Sequence, residues 1–411
     1  MRSMSAIRTK AEEVVLETIN EEADSAAAQW FAETGLPHRR MEAWKYTDIR
    51  AFWREPLKSA PQPDAATIKE AEALAPLPES KFLLTFVNGW LTSKAGVPQG
   101  VTIQPVQNDT APALWDDPAL KLNAVLTGAT VMITIPDGVT LDAPLHLNYR
   151  MAGAPSSTYP SVHIHAGKDS RVTIIETHVS AEETYVLNST LIITCSRGAE
   201  VSHVRVQTQG SKTLNIVSTD VRLNENVRFS SFALEEGAAL SRNQYFVTQA
   251  GEETEISLSG ISLGKGKQHL DTTLVIDHSV PNSVSREMFK QVLTGESHGV
   301  FQGKIIVRPH AQKTDGQMNA RGLLLSDDAE FYAKPELEIY ADDVLCAHGA
   351  TAGQLDEDLL FYLRARGLPE GEARAMLVSA FVGEALEKID HEPLREALSA
   401  RCEAWLKENL H

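Results

Sequence analysis

The sequence predicts a mainly β protein with helical ends. Three textures carry that reading. Apolar residues recur at helical spacing from about Ser5 to Gly35, alternate with polar ones from Lys81 to Tyr340, and return to helical spacing from Asp356 onward.

The first stretch, AEEVVLETINEEADSAAAQWFAETG, sets Val14, Ile19, Ala26, Trp30 and Phe31 on one helical stripe, and Gly35-Leu36-Pro37 stops it. SAPQPDAATIKEAEALAPLPES follows, rich in Ala and Pro, and is expected to be a surface connection. Next come SVHIHAG, SRVTIIETHVS, TLIITCSRG, AEVSHVRVQTQG and similar β-branched runs, broken at short polar or glycine-containing turns. Regular helical inserts are missing, so a doubly wound sheet is excluded and two architectures remain: stacked sheets, or a solenoid of short strands. Turns at Gly167, Gly198 and Gly237 are loosely spaced and do not decide between them. In the tail, DEDLLFYLRARG has Asp356 in N-cap position and Gly367 at C′. Ala375, Val378, Phe381, Val382, Ala385 and Leu386 then form a stripe, and Pro393 opens a last helix. The expected division is a helical domain over 1–80, a β core over 81–345 and a helical domain over 346–411.

Composition narrows function. Lys plus Arg total 38 against 55 Asp plus Glu, a formal charge of −17, which argues against a general binder of nucleic-acid backbones. The three cysteines, Cys195, Cys346 and Cys402, form neither a disulfide framework nor a complete zinc motif, and suit a reducing compartment. The polar start MRSMSAIRTKAEE and the absence of a long apolar run lead to an expectation of cytoplasmic location, away from membranes.

Several motifs invite chemical readings. His163 and His165 share a strand face, as in metal-binding barrels, but Ala166-Gly167-Lys168-Asp169 follows where a carboxylate ligand is needed. Glu176 and His178 come too late for that pattern, so surface or rung-stacked histidines are the simpler reading. Asp271 and Asp277 are a candidate acid–base pair for a β-helix carbohydrate enzyme, although DHSVPNS also reads as a turn. GKGK at 264–267 lacks the rest of a phosphate-binding loop. Cys346 and His348 are the best soft-ligand pair, and alternation puts both on one face if the strand PELEIY continues that far. Thiolate and imidazole suit zinc or iron–sulfur chemistry, but either needs further ligands. A second chain would have to supply them. By themselves the two residues favour a buried cysteine and a histidine near a helix start.

Taken together, RRMEAWKYTDI (39–49), IDHSVPNSVSREMFKQVL (276–293), SHGVFQGKIIVRPHAQKTDGQMNARGLLLSDDA (297–329), PELEIYADDVLCAHGATAGQLDEDLLFYLRARGL (335–368) and EARAMLVSAFVGEAL resemble the SufB/SufD family of iron–sulfur cluster assembly scaffolds over nearly the whole chain. The SufD branch is the nearer. MEAWKYT lies near the N-terminus, Gly349 follows His348 where SufB-type chains carry Glu, and a cysteine-rich N-terminal segment is missing. The resemblance implies a right-handed parallel β-helix flanked by helical domains, and a scaffold that is not itself an enzyme. It implies pairing with a SufB-like subunit through the β-helix ends and docking of a SufC-like ABC ATPase on the C-terminal helices. It assigns cluster building at the SufB junction to His348, a metal ligand shared with the partner, with Cys346 beside it. A transient Fe–S cluster or iron is then the only cofactor. Phe361, Tyr362, Leu363, Arg364 and Arg366 become candidates for ATPase docking, weighed against an ordinary core or solvated face. A homodimer in the partner's absence and a SufB-like scaffold that holds a cluster itself are the alternatives within the family.

Overall fold

A computed structural model describes residues 8–22, 25–74, 80–106 and 115–409. The expected helix start at Ser5 lies outside these.

The β core is a parallel solenoid of about 8 turns. Strands Phe82–Val87, Leu145–Met151, Arg171–Ser180, Glu200–Gln207, Arg228–Glu235, Glu255–Gly264, Val284–Leu293, Asp315–Leu324 and Leu345–Gly353 lie side by side in one sheet. Thr130–Ile135, Ser161–Ala166, Tyr185–Cys195, Leu214–Leu223, Leu240–Gln249, His269–His278, His298–Val307 and Glu330–Ile339 form the other. From Ser161 onward the chain alternates between the sheets and each long strand pairs in parallel with the strand one turn away. Of the two architectures the sequence left open, the solenoid is the one formed. Antiparallel strands Trp90–Ala95 and Thr102–Val106 close the sheets at the N-terminal end.

The repeat is regular in space. Arg171, Glu200, Arg228, Glu255, Val284, Asp315 and Leu345 stack in register, so a turn takes 27 to 31 residues. Each of the first six strands is preceded by a residue with positive φ: Asp169, Gly198, Asn226, Glu253, Asn282 and Lys313. The corner needs that left-handed conformation, and glycine provides it at only one level; side chains accept its cost at the others.

Alternation divides each strand between interior and outside. Val172, Ile174, Leu191, Val201, Phe229, Tyr245, Ile256 and Phe289 fill the interior. Outward residues of the second sheet, Val186, Leu214, Ile216 and Leu240, pack beneath Ile19, Phe31, Trp44 and Trp53 of the N-terminal segment. Outward residues of the first sheet, Ile175, Val204, Phe232 and Ile261, pack beneath Val378, Val382, Leu398 and Trp405 of helices Glu370–Leu386 and Glu392–Asn409. Lys290 pins that contact. Its buried ammonium reaches Phe381 O at 2.5 Å and the Glu384 carboxylate, and lies 4.7 Å from the Phe381 ring centre.

Four local expectations need correction. The single N-terminal helix is two, Lys10–Glu22 and Ser25–Thr34, and Ala26 is exposed rather than on the buried stripe. The presumed connection after Ser59 contains helix Ala65–Glu72, whose first turn is capped by Asp64 accepting from Thr67 N at 2.8 Å. Helix Pro118–Leu126 interrupts the β pattern; Asp117 caps it and proline opens it. Finally, strand Leu345–Gly353 carries the sheet beyond residue 345, and the next helix begins at Glu357. Cys346 and His348 thus belong to the solenoid and not to the helical tail.

Candidate functional site

The solenoid ends in the open. Glu330–Ile339 and Leu345–Gly353 are the outermost strands of their sheets, and no strand among the described residues pairs with their free edges. Tyr332, Ile339, Tyr340 and Leu345 are exposed there, Leu345 by 72%. An unpaired edge is a template for pairing with a further strand, and large apolar side chains are exposed along it.

Cys346 and His348 stand on that last strand. Cys346 continues the interior column Val201, Phe229, Ile256, Ser285, Gly316. His348 continues the column His203, Ser231, Leu258, Glu287, Met318. Both occupy interior-facing positions, but no further turn covers them. Cys346 is half-buried against the core and His348 is exposed. Burial pushes the Cys346 thiol up; the Gly316 backbone opposes this, and the charges of Asp315 and Glu287 add to it. At neutral pH Cys346 is therefore a thiol. Among the described residues no group of three or more His, Cys, Asp or Glu side chains is arranged to hold a metal ion.

The other cysteines are different. Cys195 and Cys402 are buried, and burial pushes both thiols up to about 12. Under native conditions one thiol of the three in the chain, Cys346, is expected to be alkylated, faster as pH rises past 9.0, the ordinary thiol value. Labelling of a second thiol before unfolding, read by mass spectrometry, would contradict the assignment.

The remaining candidates separate clearly. His163 Nε2 and His165 Nδ1 lie 3.2 and 3.0 Å from the Thr194 hydroxyl, on the outer face. Asp271 and Asp277 do share a face, but six residues of strand hold them about 20 Å apart, too far for two carboxyls working on one bond. Each is also engaged. Asp271 is buried against Arg242, the Thr47 hydroxyl and Thr273 Oγ1 at 2.9 Å. Arg308 grips Asp277 with contacts of 2.9, 3.1 and 2.6 Å. Asp271 is the socket for the N-terminal segment: the same Arg242 lies 3.8 Å over the Trp44 ring. The carbohydrate-enzyme alternative loses its catalytic pair.

On helix Glu357–Ala365, Asp356 caps the start through Asp358 N and Leu359 N, at 2.9 and 3.0 Å. Phe361 and Tyr362 are exposed by 73% and 54%, so neither is core, while Leu363 is half-buried. Leu359 and Met376, unmarked in the sequence, are also exposed. Arg366 stacks 5.1 Å from the Tyr362 ring and Arg364 pairs with Glu370 at 3.4 Å.

Sequence reasoning missed the buried charges inside the solenoid. Glu176 contacts His178 Nε2 at 2.6 Å, His203 Nε2 at 3.0 Å and Arg205 Nη2 at 2.9 Å, all within the interior. Burial alone would raise the Glu176 carboxyl, but Arg205 and the histidines hold it well below the ordinary range. Burial lowers both histidines. They are neutral donors, and the ion pair is Glu176 with Arg205.

Comparison with known proteins gives the family. Residues 149–381 match the family described as SUF system FeS cluster assembly, SufBD core domain. The chain is 28% identical to the iron–sulfur cluster assembly protein SufD of Escherichia coli, over 91% of this chain and 90% of that one. It is 29% identical to an iron–sulfur cluster assembly SufBD family protein of Synechocystis, over 88% and 86% of the two chains. A chloroplastic protein of Arabidopsis thaliana, ABCI7, is 26% identical over 90% and 83%. No helix among the described residues is long and apolar enough to cross a membrane. With more than half its length matched, the chain belongs to the SufBD family of the SUF system, whose role is iron–sulfur cluster assembly.

Proposed function

We propose that this chain is the SufD-like, non-catalytic subunit of a cytoplasmic cluster-assembly scaffold. A SufB-like subunit covers the open end of the solenoid, a SufC-like ABC ATPase docks on the C-terminal helices, and a transient Fe–S cluster forms at the seam. The observation that carries the reading is the placement of Cys346 and His348 on the last, uncovered turn, between unpaired strand edges. A histidine and a cysteine there are too few donors for a cluster, and a partner strand laid along the edge brings the rest. Leu359, Phe361, Tyr362 and Met376 are exposed apolar side chains for ATPase docking, and Arg364 and Arg366 are exposed on the same segment. Lys290 ties the docking helices to the solenoid, so ATPase closure has a route for opening the seam. The same apolar end favours self-pairing when the SufB-like chain is absent.

The test is co-expression with SufB-like and SufC-like partners, with and without His348→Ala. Subunit stoichiometry is expected to stay constant while bound iron and sulfide fall about tenfold, the scale of losing one contributor to a metal site. Unchanged iron and sulfide would assign the chemistry to the partner and leave C-x-H a structural element.

A further inference from the structure

The two strands at the open end are not equivalent. A strand in a parallel sheet turns the N–H and C=O of alternate residues to opposite sides, so residues bonded to the turn behind leave the others facing out. Glu330 N donates to Ser297 O at 3.0 Å and Tyr340 N to Val307 O at 2.9 Å, which commits the even-numbered residues there to the turn behind. Phe331, Ala333, Pro335, Leu337 and Ile339 therefore turn their backbone groups to the free edge. Leu345 N donates to Thr314 O at 2.9 Å, which commits the odd-numbered residues of Leu345–Gly353. The outward groups on that strand are those of Cys346, His348, Ala350 and Ala352.

The edge Glu330–Ile339 is obstructed. Pro335 falls in the middle of its outward set, where its ring replaces the donor and stands in the way of a strand laid alongside. Glu330, Lys334, Glu336 and Glu338 add charge to the same strand. Proline and charge on an edge are devices that keep a sheet from adding strands. The strands closing the other end of the solenoid carry them too: Pro105 in Thr102–Val106, and Lys94 with a register shift in the pairing of Trp90–Ala95. LCAHGATAG differs. It has no proline and no Asp, Glu, Lys or Arg, and it pairs with the strand behind without a shift. Of the four outermost strands of the two sheets, it alone is free of these devices.

We propose that the partner scaffold subunit joins this chain through one sheet only. An extended, uncharged strand of the partner hydrogen-bonds to the backbone of Cys346, His348, Ala350 and Ala352, and Pro335 keeps the second sheet out of the pairing. The inference rests on the proposed pairing with a SufB-like subunit and names the surface and the form of that contact. Strand alternation then fixes what the partner presents. Its residues opposite Cys346 and His348 lie two apart on its own strand and share their interior face. Tyr332, Ile339 and Tyr340, exposed at the second edge, meet the partner through side chains alone.

The test is hydrogen exchange read by mass spectrometry on the full-length chain, free and in complex with co-expressed SufB-like and SufC-like partners. The free chain is diluted until sedimentation shows a monomer. Amides in 345–353 are expected to slow about tenfold or more in the complex, and those in 331–339 by no more than about threefold. Two variants separate pairing from folding. Ala350→Pro and Ala333→Pro each remove one outward N–H and no hydrogen bond to the strand behind. Ala350→Pro should weaken partner binding about tenfold or more, and Ala333→Pro by no more than about twofold. Thermal unfolding of both variants controls for folding, and the wild-type exchange pattern decides alone if either fails to fold.

Equal protection of 331–339 and 345–353, or equal partner affinity of the two variants, overturns the inference and leaves the proposed function standing. A free chain that stays dimeric at every dilution, with 345–353 already slow, gives the edge to a second copy and also overturns it. Absence of any complex with the wild-type chain would overturn the proposed function itself, and this inference with it.

Discussion

Arg205→Ala is expected to destabilise the solenoid by about 3–5 kcal/mol, the range found when one partner of a buried ion pair is removed. Arg205 is 1% exposed and holds more than Glu176. It also reaches Thr219 Oγ1 at 2.7 Å and Asn243 Oδ1 at 2.5 Å, joining strands of both sheets through the interior. Its removal leaves the Glu176 carboxylate with only two neutral histidines in a dry site. Neutralising Glu176 by protonation relieves the charge but gives up the pairing. In a solenoid each turn is supported by its neighbours, so damage in a middle turn separates two intact halves and is not confined to an end. The double variant Glu176→Gln with Arg205→Met should recover much of the loss, because it removes both charges and keeps most of the volume. Urea unfolding of the parent, the single variants and the pair measures this, and thermal unfolding should show a fall in Tm of about 3–6 °C for Arg205→Ala. If Arg205→Ala melts with the parent, the interior ion pair contributes nothing to holding the turns together.

That network also shows where the sequence is hard to read. The period-two runs revealed the β core, because every strand buries alternate residues whichever architecture it joins. The repeat stayed hidden for a physical reason. The left-handed corner recurs faithfully, but Asp169, Gly198, Asn226, Glu253, Asn282 and Lys313 occupy it, and six levels with five residue types leave no pattern in letters. Gly167 and Gly198 belong to one edge of the solenoid, whereas Gly237 lies before a strand of the other sheet, so their spacing mixed two corners. Cys346 and His348 were legible as a pair, and their resemblance-based role could be stated before the fold. Their exposure at an uncovered end was not, since it depends on which strand comes last. Glu287 was illegible for the opposite reason. In VSREMFKQVL it sits among other charges like any solvated acid, and only the strand register turns it inward. Phe361 and Tyr362 look like core in the sequence because helical spacing favours burial, yet the helix presents them to solvent.

Folding stability is expected to peak near neutral pH and to fall on both sides, with different groups responsible for each limb. Burial lowers His146, His269 and His278 to about 4 from the ordinary 6.5. The unfolded chain takes up protons that these native imidazoles refuse, so the stability they give above 6.5 is lost as pH falls from 6.5 towards 4. The alkaline limb has the opposite sign. Burial raises Glu235 to about 7 and Glu287 to about 8, both from 4.5. The native chain keeps protons that the unfolded chain releases, so stability present in full below 4.5 is lost as pH rises through those values. Glu287→Gln isolates one of the two carboxyls. The variant should gain on the parent as pH rises from 4.5 to about 8, at a slope approaching ~1.4 kcal/mol per pH unit, and hold that gain above it. The comparison cancels the histidines, which both proteins share, and needs only urea midpoints at a series of pH values. A difference that stays flat across the range would mean that Glu287 ionises as freely in the fold as in the unfolded chain. The interior around it would then be wet, and the carboxyl would have its partner in water.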